Sequence, residues 1–149
     1  MERLALAFLP EGGVRVTVTH RITRPSATAN PALDTRLEET RQALAARPGF
    51  VEARYNLSLL LAKMGRFDDA AAELRKLVAG FPDSAHYHFS LAEVLFLAKR
   101  YADSVEEYAQ AARLEPNNPR NWHALANAEE KAGRTEEAKE HRQKALSIK

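Results

Sequence analysis

A period of 34 residues constrains this chain more than any other feature. When residues 51–84, 85–118 and 119–149 are set in register without gaps, Leu57, Leu91 and Leu125 share a column. So do Ser58, Ala92 and Ala126; Phe67, Tyr101 and Thr135; and Ala70, Ser104 and Ala138. Leu77, Ala111 and Ala145 follow, then Val78, Ala112 and Leu146, then Pro82 and Pro116. One step further back stand Ala43, Leu44 and Pro48, so half of an earlier unit, 31–50, precedes three full ones. Repetition at such a period marks a stack of small units. None can bury its apolar face alone, and each is covered by its neighbours.

Each unit reads as two helices. Apolar residues recur at helical spacing from Val51 to Met64, where Gly65 breaks the run. A second amphipathic stretch runs from Phe67 to Ala79 and ends at Gly80 and Pro82. Asn118-Pro119 and Asn30-Pro31 each place an N-cap residue before a proline at the first helical position. The spacing predicts seven helices, at roughly 32–46, 51–64, 67–79, 85–98, 101–114, 119–132 and 135–147. The small column of Ala70, Ser104 and Ala138 lets paired helices approach, and the Phe67/Tyr101 column fills the space beside it.

On these residues the chain resembles the tetratricopeptide repeat family. Trp122 followed by Leu125-Ala126 matches the opening of that motif, as do Leu57-Ser58 and Leu91-Ala92. Gly65 and Gly133, Phe67 and Tyr101, Ala70 and Ala138, Tyr108, Ala111 and Ala145, and Pro82 and Pro116 match the remainder. Arg54 and His88 depart from it where Trp122 conforms, and Lys99 replaces the glycine between helices. Glu129, Thr135 and Arg142 are polar where the motif is apolar, as suits a last unit with no neighbour to cover it. The resemblance implies an all-α solenoid of antiparallel helix pairs over 31–149. Its concave wall, formed by the first helix of each unit, would bind peptides or partner segments.

Residues expected on that wall fall in columns. They are Glu52 and His86 with Arg120; Tyr55 and Phe89 with His123; Asn56, Ser90 and Ala124; Leu59 and Glu93 with Asn127; Ala62, Phe96 and Glu130; and Lys63, Leu97 and Lys131. Tyr55, Leu59, Phe89, Phe96 and Leu97 make an apolar, partly aromatic strip, which suits recognition because aromatic side chains offer large contact area at low entropic cost. Tyr55, Phe89 and Leu97 also fit a role in packing between helices. Some family members grip acidic chaperone tails through Lys, Asn and Arg on this wall. Tyr55, Leu59, Phe89 and Glu93 stand here instead, with Arg120 the one basic residue, so a mixed aromatic and apolar partner segment fits better.

The first thirty residues follow a different rule. From Val14 to Thr23 the chain alternates strictly, with Val14, Val16, Val18, His20 and Ile22 on one face and Arg15, Thr17, Thr19, Arg21 and Thr23 on the other. That pattern predicts a half-buried strand, and Leu4–Leu9, joined through Pro10-Glu11-Gly12-Gly13, is the candidate second arm of a hairpin. Val14, Val16, Val18 and Ile22 would then form a docking face. Three destinations stay open for it: the chain's own solenoid, a second copy paired edge to edge, or a strand added to a partner's sheet. Pro25 and the small polar residues Ser26–Asn30 read as a linker. A fragment of a larger upstream domain is the plainer alternative.

Charge and composition close off other classes. The chain has 149 residues, the size of one domain, with a formal charge of +2. Residues 31–149 carry 18 residues of each sign, and the excess of four Arg over two Glu lies in the first thirty. A neutral body lacks the basic stripe that phosphate neutralisation requires, so nucleic acid is not the expected partner. There is no cysteine, which removes disulfides, thiolate metal sites and cysteine nucleophiles together. No apolar run approaches the roughly 18 residues of a membrane span. The short apolar start, Leu4–Leu9, reads as part of the mature protein, with a cytoplasmic location.

Chemistry is not expected. Neither a phosphate loop nor a nucleophile elbow occurs. His86 and His123 with Glu93 or Glu130 are the nearest thing to a metal set, but His86 and His88 point to different faces and no helical one-turn His pair exists. His141, among Glu137, Lys139 and Glu140, reads as solvated, and so do the paired acids Glu129-Glu130 and Glu136-Glu137. The reading is a non-catalytic scaffold or adaptor with no cofactor and a protein partner. The alternative is a structural subunit that forms a homo-oligomer, or docks to a complex, through residues 1–30.

Overall fold

The computed structural model describes residues 30–149. The expected strand at Val14–Thr23 lies outside them. Seven helices follow one another: α1 Pro31–Ala46, α2 Val51–Lys63, α3 Phe67–Gly80, α4 Ala85–Leu97, α5 Tyr101–Leu114, α6 Pro119–Lys131 and α7 Thr135–Ser147. No strand occurs among the described residues. Consecutive helices pack against each other throughout, as antiparallel pairs α2/α3, α4/α5 and α6/α7 preceded by the lone α1. None is long and apolar enough to cross a membrane.

The pairs repeat because their turns repeat. Two residues beyond the ends of α2, α4 and α6 stands a residue with positive φ, namely Gly65 (74°), Lys99 (61°) and Gly133 (82°). The next residue then donates back across the helix end, Arg66 to Leu61 at 2.8 Å, Arg100 to Leu95 at 2.9 Å and Arg134 to Glu129 at 2.7 Å. These bonds satisfy carbonyls that the helix end would otherwise orphan. Lys99 adopts the left-handed conformation with a Cβ in place, a strain the two glycines avoid. Starts are set by caps: the Ser84 hydroxyl accepts from the Tyr87 N–H at 3.4 Å, and Asn118 Oδ1 accepts from the Arg120 N–H at 3.1 Å. Pro119 occupies the first turn of α6, where its missing N–H costs nothing.

Two apolar clusters run along the stack. One gathers Leu37, Leu57, Leu61, Leu74, Leu77, Leu91, Val94 and Leu95; the other gathers Phe89, Val105, Tyr108, Trp122 and Leu125. Ala70, Ala92, Ala111, Ala112 and Ala126 are wholly buried where helices come closest, and the Ser104 hydroxyl fits the same column by donating to the Ala92 carbonyl at 2.9 Å. α1 and α7 bury the fewest residues of the seven helices, Leu37 on α1 and Ala138 and Ala145 on α7.

Hydrogen-bonded side-chain pairs recur between the first and second helix of each unit. Arg54 meets Glu73 at 2.7 Å, and His88 Nδ1 meets Glu107 at 2.7 Å. In the last unit, His141 Nδ1 lies 2.9 Å from both oxygens of Glu129 and its ring stacks on Trp122 at 5.3 Å. This corrects two expectations. Glu129 is 3% exposed and His141 is half-buried, so neither is part of a solvated face. The carboxylate is tolerated there because the histidine supplies its hydrogen bond.

Candidate functional site

The first helices α2, α4 and α6 present one face each on the same side of the stack. Residues three and four apart share a helix face, so Phe89, Glu93 and Phe96 project together from α4, and Arg120, His123, Ala124 and Asn127 from α6. These seven residues, with Tyr108 of α5, line one cavity of about 320 Å³. Six of the twelve residues nominated from the sequence meet there.

Its floor is aromatic. Phe89 is buried and meets Tyr108 edge-to-face, with centroids 5.1 Å apart. Phe96 is half-buried and packs edge-to-face on Tyr101 at 5.2 Å. The rim is charged and exposed. The Arg120 guanidinium lies 4.2 Å over the Phe89 ring, and its nitrogen is 3.6 Å from Glu93. Asn127 Oδ1 accepts from Arg142 at 3.4 Å, and Arg142 also holds Glu130 at 2.7 Å. Arg142's hydrogen bond and charge keep the Glu130 carboxyl below its usual range. Burial, with Glu93 adding to it, pushes the Tyr108 phenol well above its ordinary value, while Arg120 draws it partly back. The phenol therefore stays protonated, a hydrogen-bond donor facing this rim.

The other nominated residues separate into smaller groups. Glu52 and Asn56 line a shallower cavity of about 260 Å³ between α1 and α2, beside Phe50 and Thr40. Tyr55 and His86 form a tilted ring pair at 5.0 Å, with the Tyr55 hydroxyl 3.3 Å from that of Ser90. Leu59 and Lys63 are exposed along α2, and Leu97 is 55% exposed, so it does not pack between helices. Val14, Val16, Val18 and Ile22 lie outside the described residues. Tyr108 is the site residue that the wall columns missed. Its column pairs it with Leu74, which is fully buried, and a hydroxyl in an apolar column was the available signal.

The opposite face of α6 carries a cavity of about 370 Å³, floored by Trp122, Leu125 and Val105 and rimmed by Arg113, Arg134 and Glu106. Its buried carboxylate, Glu129, is already bonded to His141. Among the described residues no group of three or more His, Cys, Asp or Glu is placed to hold a metal ion.

Comparison with known proteins agrees with this architecture. Residues 55–119 match the tetratricopeptide repeat family, and residues 119–149 match it again. The chain is similar to anaphase-promoting complex subunit 7 of Mus musculus, with 27% identity over 99 residues. The match covers 66% of this chain and 17% of that protein. The Homo sapiens protein of the same name is 25% identical over the same length and share. The chain thus spans about a sixth of the length of these curated relatives. Among solved structures it is similar to MamA AMB-1, with TM-score 0.70 and 28% identity, covering 79% of this chain and 70% of that one. MamA MSR-1 gives TM-score 0.70 at 25% identity, covering 79% and 68%. MamA from Desulfovibrio magneticus RS-1 shares the fold, with TM-score 0.73 at 20% identity over 78% and 66%.

Proposed function

The chain belongs to the tetratricopeptide repeat family, and we propose that it is a non-catalytic interaction scaffold of the cytoplasm whose first-helix wall captures an extended partner segment. The observation that carries this reading is the cavity between α4 and α6, where Phe89, Glu93, Phe96, Arg120, His123 and Asn127 converge over Tyr108. It combines an aromatic floor with an exposed charged rim, the pattern of a recognition site in which the apolar centre supplies affinity and the rim supplies register. Tyr55, Leu59 and His86 extend that surface along α2 and α4. Residues 1–30 are read as a separate docking element, and self-assembly through them is the alternative.

The name of the curated relatives, a subunit of a complex, fits a module that docks other proteins. Fold alone does not name the partner. The test is capture from host lysate by the full chain and by its Phe96→Ala/Arg120→Ala variant, with far-ultraviolet circular dichroism as the folding control. Loss of the captured proteins with helicity unchanged supports the wall. Equal capture by both rejects it.

A further inference from the structure

The cavity between α4 and α6 presents hydrogen-bond donors and an acceptor side by side, which restricts what it holds. Tyr108 is 5% exposed and lines the cavity, yet its hydroxyl has no hydrogen-bond partner among the described residues. Among the described residues no fully buried side-chain nitrogen or oxygen lacks a partner, so this oxygen reaches the open space of the cavity. A phenol with a buried ring normally finds a partner, and here the open position is the cavity itself.

Arg120 and Glu93 stand 3.6 Å apart, beyond ordinary hydrogen-bond length, so each keeps bonding capacity toward the cavity. Their formal charges cancel. A partner carboxylate would suit Arg120 and Tyr108 and be repelled by Glu93. An ammonium or guanidinium would suit Glu93 and be repelled by Arg120, which already covers the Phe89 face. A primary amide answers both: its oxygen accepts from the Tyr108 hydroxyl and the Arg120 guanidinium, and its NH2 donates to Glu93. Phe96 and Ala124 offer an apolar wall for the stem that carries it.

We propose that this cavity is a pocket for a glutamine or asparagine side chain of the bound partner segment. The proposal rests on the wall reading and adds the chemistry of its anchor. A site that satisfies a buried amide on both ends discriminates by leaving its own polar groups unpaired when the wrong side chain enters.

The test is selection of a phage-displayed random heptapeptide library on the full chain, followed by fluorescence polarisation of the recovered peptides. We expect a shared Gln or Asn at one position. Replacing it by Glu or by Lys should weaken binding at least tenfold, and Tyr108→Phe, which keeps the ring and the packing, should weaken it roughly three- to tenfold. Glu or Lys versions that bind equally well overturn the proposal, as does a Tyr108→Phe variant with unchanged affinity. Phe96→Ala separates the two levels. Peptides that lose binding to it while carrying some other anchor sink the amide pocket and leave the wall standing. Peptides indifferent to it remove the wall as well.

Discussion

The indole N–H of Trp122 donates to the carbonyl of Pro116 at 2.8 Å, tying the first turn of α6 to the loop that precedes it. One unit earlier, His88 Nε2 makes the same bond to Pro82 at 2.8 Å; two units earlier, Arg54 makes it to Pro48 at 2.7 Å. A carbonyl only accepts, so the requirement at this column is an N–H on a long, flat side chain, and three different residue types meet it. The same side chains reach across to the second helix, Arg54 to Glu73, His88 to Glu107 and Trp122 to His141. Arg54 and His88 look like departures from the family motif, but they preserve its function.

His88→Ala should therefore cost more than an ordinary surface change. It removes both bonds and leaves the Pro82 carbonyl without its partner, a loss of roughly 1–3 kcal/mol. His88→Trp, which restores an N–H in that column, should recover part of it. Urea unfolding followed by circular dichroism decides: equal midpoints for the two variants would show that the N–H is not what matters.

All seven helices were legible in the sequence to within a residue or so at each end. Hydrophobic period, caps and breaking glycines all act locally and agree with one another. What was not legible depends on partners distant in sequence. Glu129 and His141 read as solvated because nothing in a linear pattern shows that residues twelve apart meet across a helix pair. Phe89 reads as part of an open strip, yet Tyr108 and Arg120 enclose it. Leu97 is as apolar as any core leucine, but it faces outward on the last turn of α4. The columns brought six residues of α4 and α6 to one cavity; the depth of each was set by side chains from neighbouring units.

The buried pair in the last unit supports a prediction of its own. Glu129→Ala leaves His141 without its carboxylate, and His141→Ala leaves a carboxylate 3% exposed with no donor. Each should destabilise by about 1–3 kcal/mol, and the double variant should cost clearly less than their sum. Additive losses in a double-mutant cycle would mean that the contact contributes nothing.

Lys99 holds φ at 61° where the equivalent turns use glycine. Lys99→Gly should raise stability by about 1 kcal/mol, because relief of the left-handed strain exceeds the added freedom of the unfolded chain. Gly133→Ala should lower it by about the same amount, although a Cβ there meets nothing within 4 Å, because its φ is 82°. Thermal midpoints that move in the opposite direction would place the strain elsewhere in the turn.

Glu73 carries a stability term that depends on pH. Burial pushes its carboxyl up, but the hydrogen bonds and charges of Lys76 and Arg54 outweigh burial and bring it below the ordinary value of 4.5. A group depressed in the folded state stabilises fully above its unfolded value, and that contribution fades as pH falls through the folded one. Stability should thus decline on acidification below about 4.5, and Glu73→Gln should be less stable at neutral pH with a flatter acid limb. Parallel acid limbs for the two proteins, measured as urea midpoints from pH 7 to 3, would remove Glu73 from the account.

Phe89 and Phe96 separate the floor of the cavity from its wall. Phe89 is 9% exposed and is packed against Tyr108 beneath Arg120, so Phe89→Ala opens a void in the core and should cost roughly 3–5 kcal/mol. Phe96 is half-buried against Tyr101, and its removal should cost distinctly less. A binding defect in Phe89→Ala is therefore confounded with unfolding, whereas one in Phe96→Ala reports recognition. Unfolding midpoints of the two variants check the assignment directly, and a larger loss for Phe96→Ala would reverse which ring is floor and which is contact surface.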